Sequence, residues 1–126
     1  MTERAIEREF ATAVKVLDGQ PPEDGPPSSF QEMMLRISNQ ATSLCISKQK
    51  DYGPKNISAF GLVGVLVRMN DKFERLKNLT KTGKRPSNET IEDSLIDVAN
   101  YAMIALAVHR GWWDDDHCPP LLEERG

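Results

Sequence analysis

Residues 87–111 read SNETIEDSLIDVANYAMIALAVHRG, and this stretch decides the fold. It has the pattern of a capped amphipathic helix. Asp93, Asp97 and Asn100 fall at i, i+4 and i+7, within roughly 60° of one another around a helix axis. Ile91, Leu95, Val98, Ala102, Leu106 and Ala107 supply an apolar stripe beside them. Two carboxylates about 4 Å apart repel by about 4 kcal/mol at an effective dielectric of about 20. Such a pair spreads into water, shares a proton or meets a cation.

The rest of the chain narrows the fold class. With 126 residues it has the length of one domain that folds without staples. Aromatic residues make up only 6%, so Leu, Ile, Val, Met and Ala must fill the core, which suits helices better than sheets. The first twenty residues hold Glu3, Arg4, Glu7, Arg8 and Glu9 where a secretory signal requires an apolar run. No apolar run reaches membrane-spanning length. Cys45 sits on an apolar helical face and Cys118 in a polar tail, which is not a disulfide framework. These features lead to the expectation of a cytoplasmic protein.

Charge is distributed unevenly. Between Lys48 and Arg85 ten Lys and Arg face only Asp51, Asp71 and Glu74, a local +7, whereas the remainder carries −10. A basic middle of this kind attracts phosphates or forms one face of a mixed surface.

Outward from the opening stretch, four helices are expected and no strand. Ile6, Phe10, Val14 and Leu17 place a short helix over residues 3–17. QPPEDGPP, residues 20–27, interrupts it with four prolines, so residues 1–27 form an arm and linker. Ser29 with Glu32 makes a capping box for a second helix running to about Lys48, with Phe30, Met33, Ile37, Ala41, Leu44 and Cys45 inward. A polar loop, KQKDYGPKN, follows at residues 48–56. Ser58 is placed to cap a third helix reaching about Leu79, with Phe60, Val63, Leu66, Val67, Met69, Phe73 and Leu76 as its core face. A basic loop at residues 80–86 joins this to the helix of the opening stretch. The core is thus an all-α, four-helix bundle-like domain over residues 28–111. Residues 112–126 form a tail whose adjacent His117 and Cys118 have the wrong spacing for a zinc pair.

The third and fourth helices are joined by a short loop and are expected to pair antiparallel. Asp71 and Glu74, at i and i+3, can then face Asp93 and Asp97. Four carboxylates at partly buried depth require a cation. Mg²⁺, a hard ion that shares its shell with substrate phosphates, suits them, with the basic loops holding a polyphosphate.

Three motifs now carry a resemblance. KDYGPKN at 50–56, RMNDKFERL at 68–76 and ETIEDSLIDVANYA at 89–102 together resemble the MazG-like all-α nucleoside triphosphate pyrophosphohydrolases, and within them the phage nucleotide modification associated type. The resemblance spans about Phe30 to Arg110. It implies Mg²⁺-dependent cleavage of an NTP or dNTP to the monophosphate and pyrophosphate, in phage nucleotide metabolism. By position, Asp71, Glu74, Asp93 and Asp97 would be the metal-binding and catalytic carboxylates. Lys50, Asp51, Tyr52, Asn56, Arg68, Lys72, Arg75 and Asn100 would contact the nucleotide. The resemblance also implies a homo-oligomer, with a neighbouring chain completing the site. Two positions depart from the family pattern: the first acidic pair begins with Asp71 where Glu is usual, and Ser94 stands where the second pair has Glu.

Other readings stay open. The site can be a non-hydrolytic module for a nucleotide or signalling nucleotide, or the carboxylates can be a solvated face. Direct nucleic-acid binding is disfavoured, because the basic residues are scattered, the total charge is −3, and two of the three candidate stacking rings read as core.

Overall fold

The computed structural model describes residues 25–83 and 90–122. They form three α-helices and no strand: α1 (Phe30–Tyr52), α2 (Gly61–Thr82) and α3 (Ile91–His109). The all-helical expectation holds. The helix expected at residues 3–17, residues 20–24 of the linker and residues 84–86 of the basic loop lie outside the described residues. The chain divides into two compact units between Cys45 and Ile46.

In the first unit, the start of α1 is fixed by side chains bonding to freed backbone groups. The Glu32 backbone N–H donates to Ser29 Oγ at 3.0 Å, as a capping box requires. The reciprocal half differs from the expectation. Glu32 accepts from the backbone N–H and hydroxyl of Ser28, at 2.8 and 2.6 Å, and from Arg36. The Ser28 bonds come first in holding its carboxyl down at about 2, Arg36 adds to them, and together they outweigh burial. Ala41 is buried, whereas Phe30 and Ile37, expected inside, are exposed.

In the second unit α1 continues one turn past the expected end at Lys48. Nothing in Lys48–Tyr52 breaks a helix, and the first breaker is Gly53, at φ +81° with its N–H bonded to Gln49 O. Gln49 Nε2 then ties down the turn by donating to Gly53 O at 2.7 Å and Asn56 Oδ1 at 3.1 Å. Ile57 is buried just beyond.

α2 begins at Gly61 with Phe60 as N-cap and no side-chain cap bond. Ser58, expected as the cap, instead donates to Lys55 O at 3.3 Å. At its other end α2 runs to Gly83, whose φ of +63° gives the left-handed cap that ends many helices.

α2 packs against α3, and the face that α2 turns inward corrects the expectation. Val65 and Leu79 are buried, while Phe60, Val63, Leu66, Val67 and Phe73 are exposed. On α3 the buried side chains are Ser94 and Asn100, and Ile91, Leu95 and Leu106 from the expected stripe lie exposed. α3 is apolar nearly all round, so periodicity alone did not orient it.

One glycine in α2 is sterically required. A Cβ on Gly64 would lie 2.4 Å from Phe60 Cβ, an atom fixed by its own backbone. Gly64→Ala should therefore lower stability by about 1–3 kcal/mol through overpacking. Helix propensity alone would instead favour alanine by about 1 kcal/mol. Urea unfolding followed by circular dichroism reads the sign directly.

The tail returns to the α1–α2 connection. Trp113 Nε1 donates to Pro54 O at 2.9 Å, and Asp114 Oδ1 accepts from the N–H groups of Asp116 and His117. Arg110 lies over the Trp112 ring, 4.9 Å from its centroid.

Candidate functional site

Three helices bring three side chains together around Asp97. Lys48, on the last turns of α1, places Nζ 3.0 Å from Asp97 Oδ1. Lys72, from the middle of α2, places Nζ 3.0 Å from Asp97 Oδ2. The Asp97 side chain is 12% exposed, Lys72 22% and Lys48 46%. The depth decreases from carboxylate to ammonium, with Lys48 reaching in from the solvent edge.

The electrostatics follow from that arrangement. Burial pushes the Asp97 carboxyl up, but hydrogen bonds from Lys48 and Lys72 and their charges outweigh it, and the group lies below its ordinary value. Lys48 is raised, first by its hydrogen bond to Asp97 and against the effect of burial. With two ammonium groups and one carboxylate, the trio carries a net +1.

The other carboxylates expected at the site have different partners. Asp93 completes the cap of α3: the Thr90 N–H donates to Asp93 Oδ2 and the Asp93 N–H to Thr90 Oγ1, each at 3.1 Å. The Thr90 backbone N–H first, and its hydroxyl second, hold the Asp93 carboxyl below its ordinary value by hydrogen bonding to it. Asp71 and Glu74 lie on the exposed face of α2, and Glu74 pairs with Lys77 at 3.2 Å, both well exposed. Position 72 is rotated about 100° from 71 and 200° from 74 around the helix. A face that presents Lys72 to Asp97 therefore turns both carboxylates outward. Among the described residues no three His, Cys, Asp or Glu side chains are grouped to hold a metal ion. The residues as placed in one chain do not fit Mg²⁺.

Burial bears on Ser94, which stands where the resemblance leads one to expect Glu. Its side chain is fully buried, with Oγ lacking a hydrogen-bond partner. A glutamate there would have to bury its carboxylate in the same place, at a large desolvation cost.

Of the residues expected to contact a nucleotide, Lys72 is at the centre. Arg68 and Arg75 are half-buried on α2, Asn100 is buried on α3, and Asn56 accepts from Gln49. Lys50, Asp51 and Tyr52 are exposed on the last turn of α1. Lys48 was expected only as part of the basic loop beginning there, not as a named site residue. The signal that could have found it is the absence of any helix breaker before Gly53, which keeps Lys48 on the helix. The Thr90-x-x-Asp93 spacing likewise contained the cap that occupies Asp93.

Fold and site define a small all-helical protein with a half-buried aspartate gripped by two lysines from separate helices. Residues 48–108 match the family model described as nucleotide modification associated domain 1. The matched segment contains Lys48, Lys72 and Asp97. No curated protein and no solved structure matches the chain. No helix among the described residues is long and apolar enough to cross a membrane, and neither Cys45 nor Cys118 forms a disulfide.

Proposed function

We propose that residues 48–108 form a site for nucleoside polyphosphates, in which Lys48 and Lys72 receive the phosphates and Asp97 holds the two lysines in place beforehand. The convergence of both ammonium groups on Asp97 carries this reading. Each ammonium has three donors and a phosphate chain offers several charged acceptors, so the chain can outcompete one carboxylate for both lysines. Pre-placement by Asp97 also lowers the ordering cost of two long side chains. Arg68, Arg75 and Lys50 extend the positive field over the same segment, and Asp51, Tyr52, Asn56 and Asn100 are the polar and aromatic groups available to the nucleoside.

A second reading makes the site hydrolytic, cleaving an NTP or dNTP to monophosphate and pyrophosphate with Mg²⁺ in a phage-type nucleotide pathway of the cytoplasm. The outward placement of Asp71 and Glu74, on the same face as the exposed Val63 and Val67, favours it. A second copy docked on that face could add its own carboxylates. Self-association is part of this reading, and the exposed apolar stripe of α3 supports it.

One experiment separates the two. Calorimetry with a panel of NTPs and dNTPs in EDTA should show saturable binding, with intact ligand recovered. Adding Mg²⁺ and chromatographing the products should show monophosphate and pyrophosphate if the hydrolytic reading holds, and Asp97→Asn should abolish that turnover. No binding to any member of the panel, with or without Mg²⁺, would overturn both.

A further inference from the structure

We infer that the Tyr52 ring is the platform on which the base of a bound nucleotide stacks, and that the site thereby tells a nucleotide from a bare polyphosphate. This rests on the reading of Lys48 and Lys72 as phosphate-binding groups and concerns the other end of the ligand. Tyr52 is the last residue of α1, one turn beyond Lys48. At that spacing the two share a face, with Cβ atoms about 5–6 Å apart. A helical side chain leans back over the turn before its own, which carries the ring toward the lysine. The electrostatics agree: Lys48 is raised first by its hydrogen bond to Asp97, and the Tyr52 phenol adds a smaller push in the same direction. The ring is 67% exposed, so most of its π surface is open to a ligand.

A platform must also stay in place. The turn just beyond Tyr52 is fastened from two sides, by Gln49 Nε2 to Gly53 O and Asn56 Oδ1, and by Trp113 Nε1 to Pro54 O. These bonds fix the end of α1 that carries the ring before a ligand arrives, which lowers the ordering cost of binding. The other exposed rings are less suited. Arg110 already covers a face of Trp112. Phe60 lies a distance of about 18 Å along α2 from Lys72, and Phe73 is rotated from Lys72 by about 100°.

Calorimetry with ATP and with inorganic tripolyphosphate, both in EDTA, separates base from phosphate. Tyr52→Ala should weaken ATP binding by at least about tenfold, as expected for the loss of one base–ring stack, and change tripolyphosphate binding by less than about twofold. Tyr52→Phe, which keeps the ring, should hold ATP affinity within about threefold of wild type. Equal losses for the two ligands, no loss for either, or a phenylalanine variant as weak as the alanine variant would each overturn the platform while leaving the lysine reading intact. So would a wild type that binds tripolyphosphate and not ATP. A second readout needs no variant and decides if Tyr52→Ala loses its helical circular dichroism. The adenine protons of ATP should move upfield in the nuclear magnetic resonance spectrum on binding to wild type, from the ring current of the tyrosine. Bound ATP with unshifted base protons would overturn the platform. Failure of the lysine reading looks different, because neither ATP nor tripolyphosphate would then bind the wild type, and both readings would fall together.

Discussion

A chain carrying Lys48→Met and Lys72→Met should bind a nucleoside triphosphate at least a hundredfold more weakly than the wild type. A hydrogen bond to a charged group contributes about 1.5–3 kcal/mol. Two ammonium–phosphate contacts therefore account for about 3–6 kcal/mol, a factor of about 10² to 10⁴ in the dissociation constant. Methionine retains the apolar stem that packs along the helix while removing the charge. Calorimetry at one fixed salt concentration gives the number. Lys77→Met is the control, because Lys77 pairs with exposed Glu74 and is itself 72% exposed. Its affinity should change by less than threefold, close to the limit expected for a surface pair. Equal losses in the two proteins would mean that general positive charge, and not the grip on Asp97, attracts the ligand.

The second large effect concerns the outer face of α3. Ile91, Leu95, Met103 and Leu106 recur at helical spacing and are each 40–54% exposed. With the exposed Val63, Leu66, Val67 and Phe73 of α2, they outnumber the fully buried apolar side chains Ile57, Val65 and Leu79 among the described residues of the second unit. Large exposed apolar patches mark interaction surfaces. Leu95→Lys with Met103→Lys should convert a self-associated wild type to monomer. Each lost apolar side chain removes about 1.5–3 kcal/mol of burial, and a twofold-symmetric interface counts every substitution twice. The dissociation constant should rise by at least about a thousandfold, a shift of roughly 4 kcal/mol. Sedimentation velocity across a concentration series reads the change. A wild type that stays monomeric at high micromolar concentration would remove self-association from the proposal.

The two predictions meet at the acidic residues of α2. If a second copy covers Val63 and Val67, Asp71 and Glu74 are carried into the interface with them. Turnover in the presence of Mg²⁺ would then be lost with assembly, whereas nucleotide binding by Lys48 and Lys72 would survive. Assaying Leu95→Lys/Met103→Lys for both properties separates the two contributions.

Local chemistry was legible in the sequence wherever a bond stays within one turn. Ser29 bonds the Glu32 N–H as its spacing requires. The left-handed Gly53 and Gly83 end α1 and α2. Thr90 and Asp93 spell out the cap of α3, although the acidic pattern of that helix drew attention to a different use for Asp93. These features depend on backbone geometry over three or four residues, which residue type and spacing specify.

Rotation about the helix axes was not legible in the same way. α2 carries apolar side chains on two faces, Val63, Leu66, Val67 and Phe73 on one and Val65, Leu76 and Leu79 on the other. α3 is apolar almost all round. A pattern that offers two apolar faces does not say which one meets the neighbour, so Asp71 and Glu74 were expected to face Asp97 and Lys72 does so instead. The all-helical fold, the Ser29 bond at the start of α1 and the acidic and basic inventory follow from the sequence by itself. Which charge meets Asp97 was decided only by tertiary packing, because a rotation of one residue, about 100°, exchanges a carboxylate for an ammonium.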